Sequence, residues 1–443
     1  MNVVRKLGIA LLALVSLWVA TTANAQERPA VLVTDPSARK YRAAVQRFAE
    51  VGSQADLGAA AEFRNQIAAA LEFSGLFTSL PLKAFLAGDV TQKFAGSRLV
   101  CSDWSQIGAD AFVEGEVRRE ASGLSAEFRA WDVGRCRDFP QRLYRGSSGD
   151  QARIAKRIAD DIVEFFTGKP GVSSTEIAFI STRSGNKEVY VVNVDGTRLR
   201  AATRNRSINT FPSWSPDGTH IVYTSYREGR RPGLYLLSRG QGSPGRILRN
   251  LLKGAPQYRV VFAPDGDHLA LVMSVDGASE IFSVELDGGS LRRLTRDATI
   301  DVSPSWSPDG KHIAFVSDRT GSPQVYVMDA DGNGVRRLTY NGSYNTDPAW
   351  SPDGRWIAYQ ARVGGQFDIW FIDPEGTVNV PFISHARSDE NPTWAPDGRK
   401  LAFSSNRRGR YDIYTVDFDG GNLRRLTSDA GDNTTPAWGP YAR

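Results

Sequence analysis

From residue 176 onward, short runs of alternating apolar and polar residues recur at a nearly fixed interval. They read IAFIS at 177–181, IVYTS at 221–225, LALVMS at 269–274, IAFVS at 313–317, IAYQA at 357–361 and LAFSS at 401–405. Such alternation predicts half-buried β-strands. A large aromatic precedes a turn at Trp214, Phe262, Trp306, Trp350, Trp394 and Trp438, at intervals of 48 residues once and 44 four times. The turn is Pro216-Asp217-Gly218, with counterparts at 264–266, 308–310, 352–354 and 396–398. Proline presets φ at the first central position, aspartate suits the second, and glycine accepts the left-handed conformation that follows. A third strand such as QVYVMDADG (324–332) and an Asp-Gly hairpin into a fourth strand such as LRRLT complete each unit. A period near 44 with four strands per unit predicts a mainly β fold, a six-bladed β-propeller.

The count of strands is offset. The run at Ile177 has no PxW strand before it, and the strand at Trp438 has no alternating run after it. The ring uses every strand only if the C-terminal NTTPAW (433–438) joins the blade that begins with EIAFIS (176–181). Closure of this kind removes two exposed sheet edges.

Residues from about 30 to 170 do not repeat. YRAAVQRF (41–48) reads as a strand and its entry, and 59–77 as an amphipathic helix with Phe63, Ile67, Ala70 and Leu71 on one face. DAFVEGEV and LSAEFRAWDV read as strands, and DQARIAKRIADDIVEFF (150–166) as a second helix stopped by Thr167–Gly171. The expected organisation is a signal peptide at 1–25, a partner-binding segment at 26–35, a small α/β domain at 36–170 and the propeller at 171–443.

The one long apolar run is near the start. MNVVRK is a basic n-region, LGIALLALVSLWVA an apolar h-region, and Ala23-Asn24-Ala25 a small-x-small cleavage site that leaves Gln26 first. A membrane anchor is the competing reading; the run is short for a span. The formal charge is +5, and removing Arg5 and Lys6 with this segment leaves 52 basic against 49 acidic residues. That near balance does not point to nucleic acid or to an anionic membrane. Cys101 and Cys136 either form a disulfide, which an exported chain favours, or stand as two buried thiols. The bridge would be worth about 3–4 kcal/mol by loop entropy.

Strands within a blade alternate in direction, so the connections sort onto two faces. Tight Pro-Asp-Gly turns and Asp-Gly hairpins occupy one, and longer varied loops the other, where function on a rigid scaffold tends to reside. Five residues before each large aromatic stands a polar residue: Asn209, Gln257, Asp301, Asn345, Asp389 and Asn433. These are expected to ring the channel mouth. Farther out, Arg183, Arg227, Arg319 and Arg407 share a repeat position, with Arg362 one residue early. The pattern describes either a mouth for a protein or peptide, polar inside and basic outside, or ordinary loop solvation. The recurring tryptophans read as wedges between blades rather than as a stacking platform. DADGNG (329–334) resembles a calcium loop, but Tyr340 stands where the twelfth-position glutamate belongs, so it reads as a turn.

An enzyme is the contrasting class. G-x-S-x-G and H-E-x-x-H are absent from the sequence. His220, His268 and His312 occupy equivalent second-strand positions on successive blades, and His385 stands alone in a loop, so no metal set is expected. Paired acids would have to be Asp301 and Asp389.

Several stretches resemble the TolB family, the periplasmic propeller proteins of the Tol–Pal system. They are SGLF (74–77), WSQIGADAFVEGEV (104–117), RIADDIVEFFTGKPG (157–171) running into EIAFIS, the WSPDG…IAF blades and the closing PAWGPY (436–441). The pattern departs at Lys156, where a histidine is expected, and at Phe262, where a tryptophan is. The resemblance implies a monomeric, cofactor-free and non-enzymatic adaptor in the periplasm of a Gram-negative bacterium. Its mouth would bind the lipoprotein Pal. Its N-terminal segment, with Gln26, Glu27, Arg28, Val31, Val33 and Asp35, would bind TolA. The implied role is outer-membrane invagination at division and outer-membrane integrity, alongside other Tol–Pal components and without membrane insertion. The alternative is a propeller hydrolase or lyase acting on a periplasmic glycan or peptide.

Overall fold

The computed structural model describes residues 40–51, 57–85, 99–120, 123–229, 231–239, 245–246, 251–252, 254–428 and 430–441. The signal peptide and the segment Gln26–Asp35 lie outside the described residues.

The expected small α/β domain precedes the expected six-bladed propeller. Its sheet has strands β1 (Tyr41–Val45), β2 (Ala49–Val51), β3 (Phe77–Ser79), β4 (Ala111–Glu120), β5 (Gly123–Asp132) and β6 (Arg137–Gly146), ordered β3-β1-β4-β5-β6 with β2 also on β4. Helices α1 (Leu57–Phe73), α2 (Cys101–Gln106) and α3 (Gln151–Thr167) complete the domain. Phe63, Ile67 and Leu71 of α1 and Ile154, Ile158 and Ile162 of α3 are buried in a shared core with Phe128 and Val113 of the sheet. Several boundaries shift from expectation: α1 begins at Leu57 rather than at 59, and α3 runs Gln151–Thr167 rather than 150–166. The first strand ends at Val45 rather than Phe48, and α1 ends at Phe73 rather than Phe77. Helix α1 stops because Gly75 takes φ +79° and the Ser74 hydroxyl donates back to Leu71 O at 2.5 Å. Cys101 and Cys136 are joined as a disulfide, tying α2 to the turn after β5.

The propeller has six four-stranded antiparallel sheets. Blade one takes its innermost strand, Asn433–Trp438, from the C-terminus, paired antiparallel to Glu176–Ser181, with Trp438 opposite Ile177. Blades two to six begin with innermost strands Asn209–Trp214, Gln257–Phe262, Asp301–Trp306, Asn345–Trp350 and Asp389–Trp394. The wedge role of the aromatics is visible in their bonds. Trp394 Nε1 donates to Ala349 O of the preceding blade at 2.9 Å, and Trp438 N–H donates to Thr393 Oγ1 at 3.2 Å.

The two domains meet on the tight-turn face. Buried Asp160 of α3 accepts from the Ser173 N–H at 2.7 Å and from the Ser174 N–H and hydroxyl at 2.9 and 2.5 Å. Burial outweighs these donors and pushes its carboxyl up to about 6. A Cβ on Gly171 would stand 2.4 Å from Asp160 Oδ1, so only glycine permits this approach. Lys156, the departure from the family pattern, pairs with Asp195 in the hairpin turn of blade one. Phe73 at the end of α1 lies 4.6 Å from the ammonium of Lys400 in blade six. These contacts occupy tight turns and strand ends, while the varied-loop face lies away from them.

Candidate partner-binding mouth

The six innermost strands surround the axis, and each starts on the varied-loop face with one of the six polar residues. Their exposure corrects the expectation. Asn209, Asp301, Asn345, Asp389 and Asn433 are 0% exposed and Gln257 is 3% exposed, so they do not present side chains to the opening. They sit in the joints between blades. Asn209 Nδ2 donates to Glu188 Oε2 at 2.9 Å, Asn345 Nδ2 to Gln324 Oε1 at 2.8 Å, and Asn433 Nδ2 to Asp412 Oδ1 at 3.1 Å. Each bond links a blade to the start of the preceding blade's third strand. Buried polar groups must be bonded in this way, because orphaning one costs about 1–3 kcal/mol.

The basic positions are corrected with them. Arg319 Nη2 donates to both carboxylate oxygens of Asp301 at 3.1 Å, and Arg407 Nη2 to Asp389 Oδ1 at 2.9 Å. Arg183 Nη2 reaches Asn433 Oδ1 at 3.3 Å. The guanidiniums of Arg183 and Arg227 lie over the Tyr190 and Tyr235 rings, both at 5.3 Å. The expected inner polar ring and outer basic rim are thus largely one internal lock. Arg362, displaced by one residue, is exposed. Burial raises the carboxyl pKa values of Asp301 and Asp389, and the paired arginines pull against it. Neither acid stands as a free general acid or base at the opening.

The wall of the channel lies two residues farther along each innermost strand. Phe211, Arg259, Ser303, Asp347, Asn391 and Thr435 take φ of 52°, 56°, 58°, 52°, 54° and 47°. Each coincides with a register shift against the second strand, so every innermost strand carries a bulge here. Left-handed non-glycine residues are strained and cluster where function demands them. Arg259 pairs across the axis with Asp347, whose Oδ2 also accepts from Asn391 Nδ2 at 2.9 Å. The Arg259 guanidinium lies 4.2 Å from the Phe211 ring centre, and burial lowers its pKa to about 10. Together these side chains bridge the channel above a cavity of about 340 Å³ lined by Pro212, Pro304, Pro348 and Pro392. Sequence reasoning missed this ring. Its signal was a column that varies from Phe to Arg, Ser, Asp, Asn and Thr while its neighbours repeat.

The opening carries exposed apolar side chains among polar and charged ones. The residue before each joint polar group includes Ile208, Ile300 and Tyr344, which are 51%, 52% and 39% exposed. Tyr340 and Val363 are exposed nearby in chain, at 69% and 40%. Exposed apolar side chains also stand at the hairpins of the opposite face, at Leu199, Val335, Val378 and Leu423, so those at the opening are single candidate contacts rather than one continuous patch. The expected histidine positions stay local. His220 Nδ1 lies 2.6 Å from Thr219 Oγ1, and His268 Nδ1 lies 2.7 Å from Asp265 Oδ2.

Fold and site together define a two-domain β-propeller protein whose mouth exposes Ile208, Ile300 and Tyr344 above buried, hydrogen-bonded blade joints. The family model for the TolB beta propeller domain matches residues 166–251 and 249–442, and that for the TolB amino-terminal domain matches 29–138. The chain belongs to the TolB family. It is 39% identical to the Tol-Pal system protein TolB of Anaeromyxobacter dehalogenans over 69% of this chain and 68% of that one. It is 37% identical to the Tol-Pal system protein TolB of Desulfosudis oleivorans over 60% of each. The crystal structure of TolB from Acinetobacter baumannii superposes with a TM-score of 0.74 at 24% identity, covering 94% of this chain and 98% of that one, which shows the shared fold.

Proposed function

We propose that this protein is a non-enzymatic periplasmic adaptor of the Tol–Pal system, with Pal at the propeller mouth and TolA on the N-terminal segment. The observation that carries the Pal site is the exposure of Ile208, Ile300 and Tyr344 at the rim of the face opposite the domain joint. The locked joints beneath it, including Asn209, Asn345, Asp389 and Asn433, hold that rim in shape. A rigid rim loses little entropy when a partner docks. In the same reading the TolA site is Gln26–Asp35 and the protein bridges outer-membrane Pal to inner-membrane TolA during division; membership of a family named for the Tol–Pal system supports this. The non-enzymatic reading is supported by the arginine-engaged state of Asp301 and Asp389.

The assignment is tested by capture from envelope extract with the intact chain and a form lacking residues 26–35. The intact chain retains both Pal and TolA; the shortened form retains Pal and loses TolA. If the two sites are coupled, Pal also changes TolA affinity by the factor by which TolA changes that of Pal. Retention of TolA by the shortened form moves its site elsewhere. Hydrolysis of peptidoglycan fragments by the pure protein, lost in Asp301→Ala, would replace the adaptor with an enzyme.

A further inference from the structure

Every blade joint uses the same two positions, the start of one third strand and the start of the next innermost strand. Three joints carry an amide that donates across: Glu188 with Asn209, Gln324 with Asn345 and Asp412 with Asn433. At a fourth, Gly233 offers no side chain opposite Gln257. The remaining two set acid against acid, Glu280 with Asp301 and Asp368 with Asp389. In the first of these each acid has its own arginine. Arg293 Nη2 reaches Glu280 Oε1 at 2.8 Å and Arg319 reaches Asp301 at 3.1 Å. In the second, only Asp389 is so served, by Arg407 at 2.9 Å. Pro381 pairs with Trp370 where Arg337 and Arg425 pair with Tyr326 and Tyr414 in the neighbouring blades, so the arginine for Asp368 is missing.

The other side chains facing the pair are hydroxyls and one titratable group, His385, whose charge acts to lower both carboxyl pKa values against the effect of burial. Ser384 Oγ donates to Asp368 Oδ2 at 3.0 Å, and the Ser405 hydroxyl and the His385 ring flank the site. Asp368 and Asp389 are 3% and 0% exposed. Asp368 Oδ1 and Asp389 Oδ2 have no hydrogen-bond partner among the described residues. Two buried carboxylates beside one arginine leave an excess negative charge that a single shared proton removes, since neighbouring carboxyls resist double ionisation.

We propose that Asp368 and Asp389 share a proton, and that this proton fastens the joint between blades five and six and is released as pH rises. Burial raises both pKa values, and the Asp389 charge raises that of Asp368 further. A carboxyl raised on folding contributes stability that is present below its unfolded pKa and lost as pH rises through the folded value. The joint supports the varied-loop face directly. Phe367 N–H donates to Ser388 Oγ across it at 3.2 Å, and Ser388 N–H to Asn406 Oδ1 at 2.9 Å. Proton release therefore loosens the loop around His385 and Ser388 that leads into the innermost strand of blade six. The inference does not rest on which partner the mouth takes.

The test is urea unfolding of the full chain from about pH 5 to about pH 8, with Asp389→Asn and Asp368→Asn beside the wild type. Asp389→Asn reproduces the acid–amide joints of Glu188 with Asn209 and Asp412 with Asn433, and Asp368→Asn removes the same charge from the other strand. Each variant is expected to gain on the wild type as pH rises, its midpoint overtaking the wild-type midpoint toward neutral pH. Pro381→Arg, which returns the missing arginine, should give the same neutral-pH gain. Midpoints that run parallel to the wild type across the range overturn the shared proton. So does a calcium-induced rise of the wild-type midpoint at neutral pH that both amide variants lose, which would make the pair a cation site.

Discussion

Asn345 shows what a residue in this ring does. Its amide donates to Gln324 Oε1 and to Asn341 O, both at 2.8 Å, and it has no exposed surface. Asn345→Ala removes both bonds from a buried site, so it should lower stability by roughly 1–3 kcal/mol. Urea unfolding checks this, and an unchanged midpoint contradicts the joint role. The column of polar residues was legible in the sequence, but its burial was not. Asparagine and aspartate favour solvated turns as readily as buried caps, so residue type alone cannot separate rim from joint. The partner lies at a fixed offset, 21 residues earlier for Asn209, Asn345 and Asn433. The arginine lies 18 residues after Asp301 and Asp389. Those offsets repeat, yet only the fold shows that the side chains converge.

The innermost strand is the element that makes the site. Its polar start enters the joint, its bulge turns the third residue into the channel, and its closing aromatic wedges against the preceding blade. The strands and turns were readable because each carries local chemistry, alternation for the second strand and Pro-Asp-Gly for the turn. The bulge was not, because nothing about Phe211, Arg259 or Thr435 favours positive φ. Thr435 is the sharpest case: a β-branched residue at φ 47° whose hydroxyl has no partner among the described residues. Asparagine tolerates the left-handed region far better. Thr435→Asn should therefore raise stability by about 1 kcal/mol. A midpoint that falls instead shows that the threonine is held there by packing, and the strain assignment fails.

At the scale of the whole molecule, ring closure was legible from the offset between two counts of strands, and the C-terminal strand does pair with Glu176–Ser181. The placement of the small domain on the tight-turn face was not legible. It depends on single contacts such as Asp160 to Ser173 and Ser174, which no repeat announces. That placement leaves the varied-loop face, with Ile208, Ile300 and Tyr344 exposed at its rim, free for a partner. The central claim is that this rim, not the polar ring beneath it, contacts Pal. Calorimetric titration of Pal into the wild type, Ile300→Asp and Tyr344→Ala tests it most directly. The rim residues are substantially exposed, so neither variant should shift the melting temperature. The account predicts that each weakens Pal about tenfold or more, as loss of a central apolar anchor does. Wild-type affinity in both variants, with both folded, would contradict it.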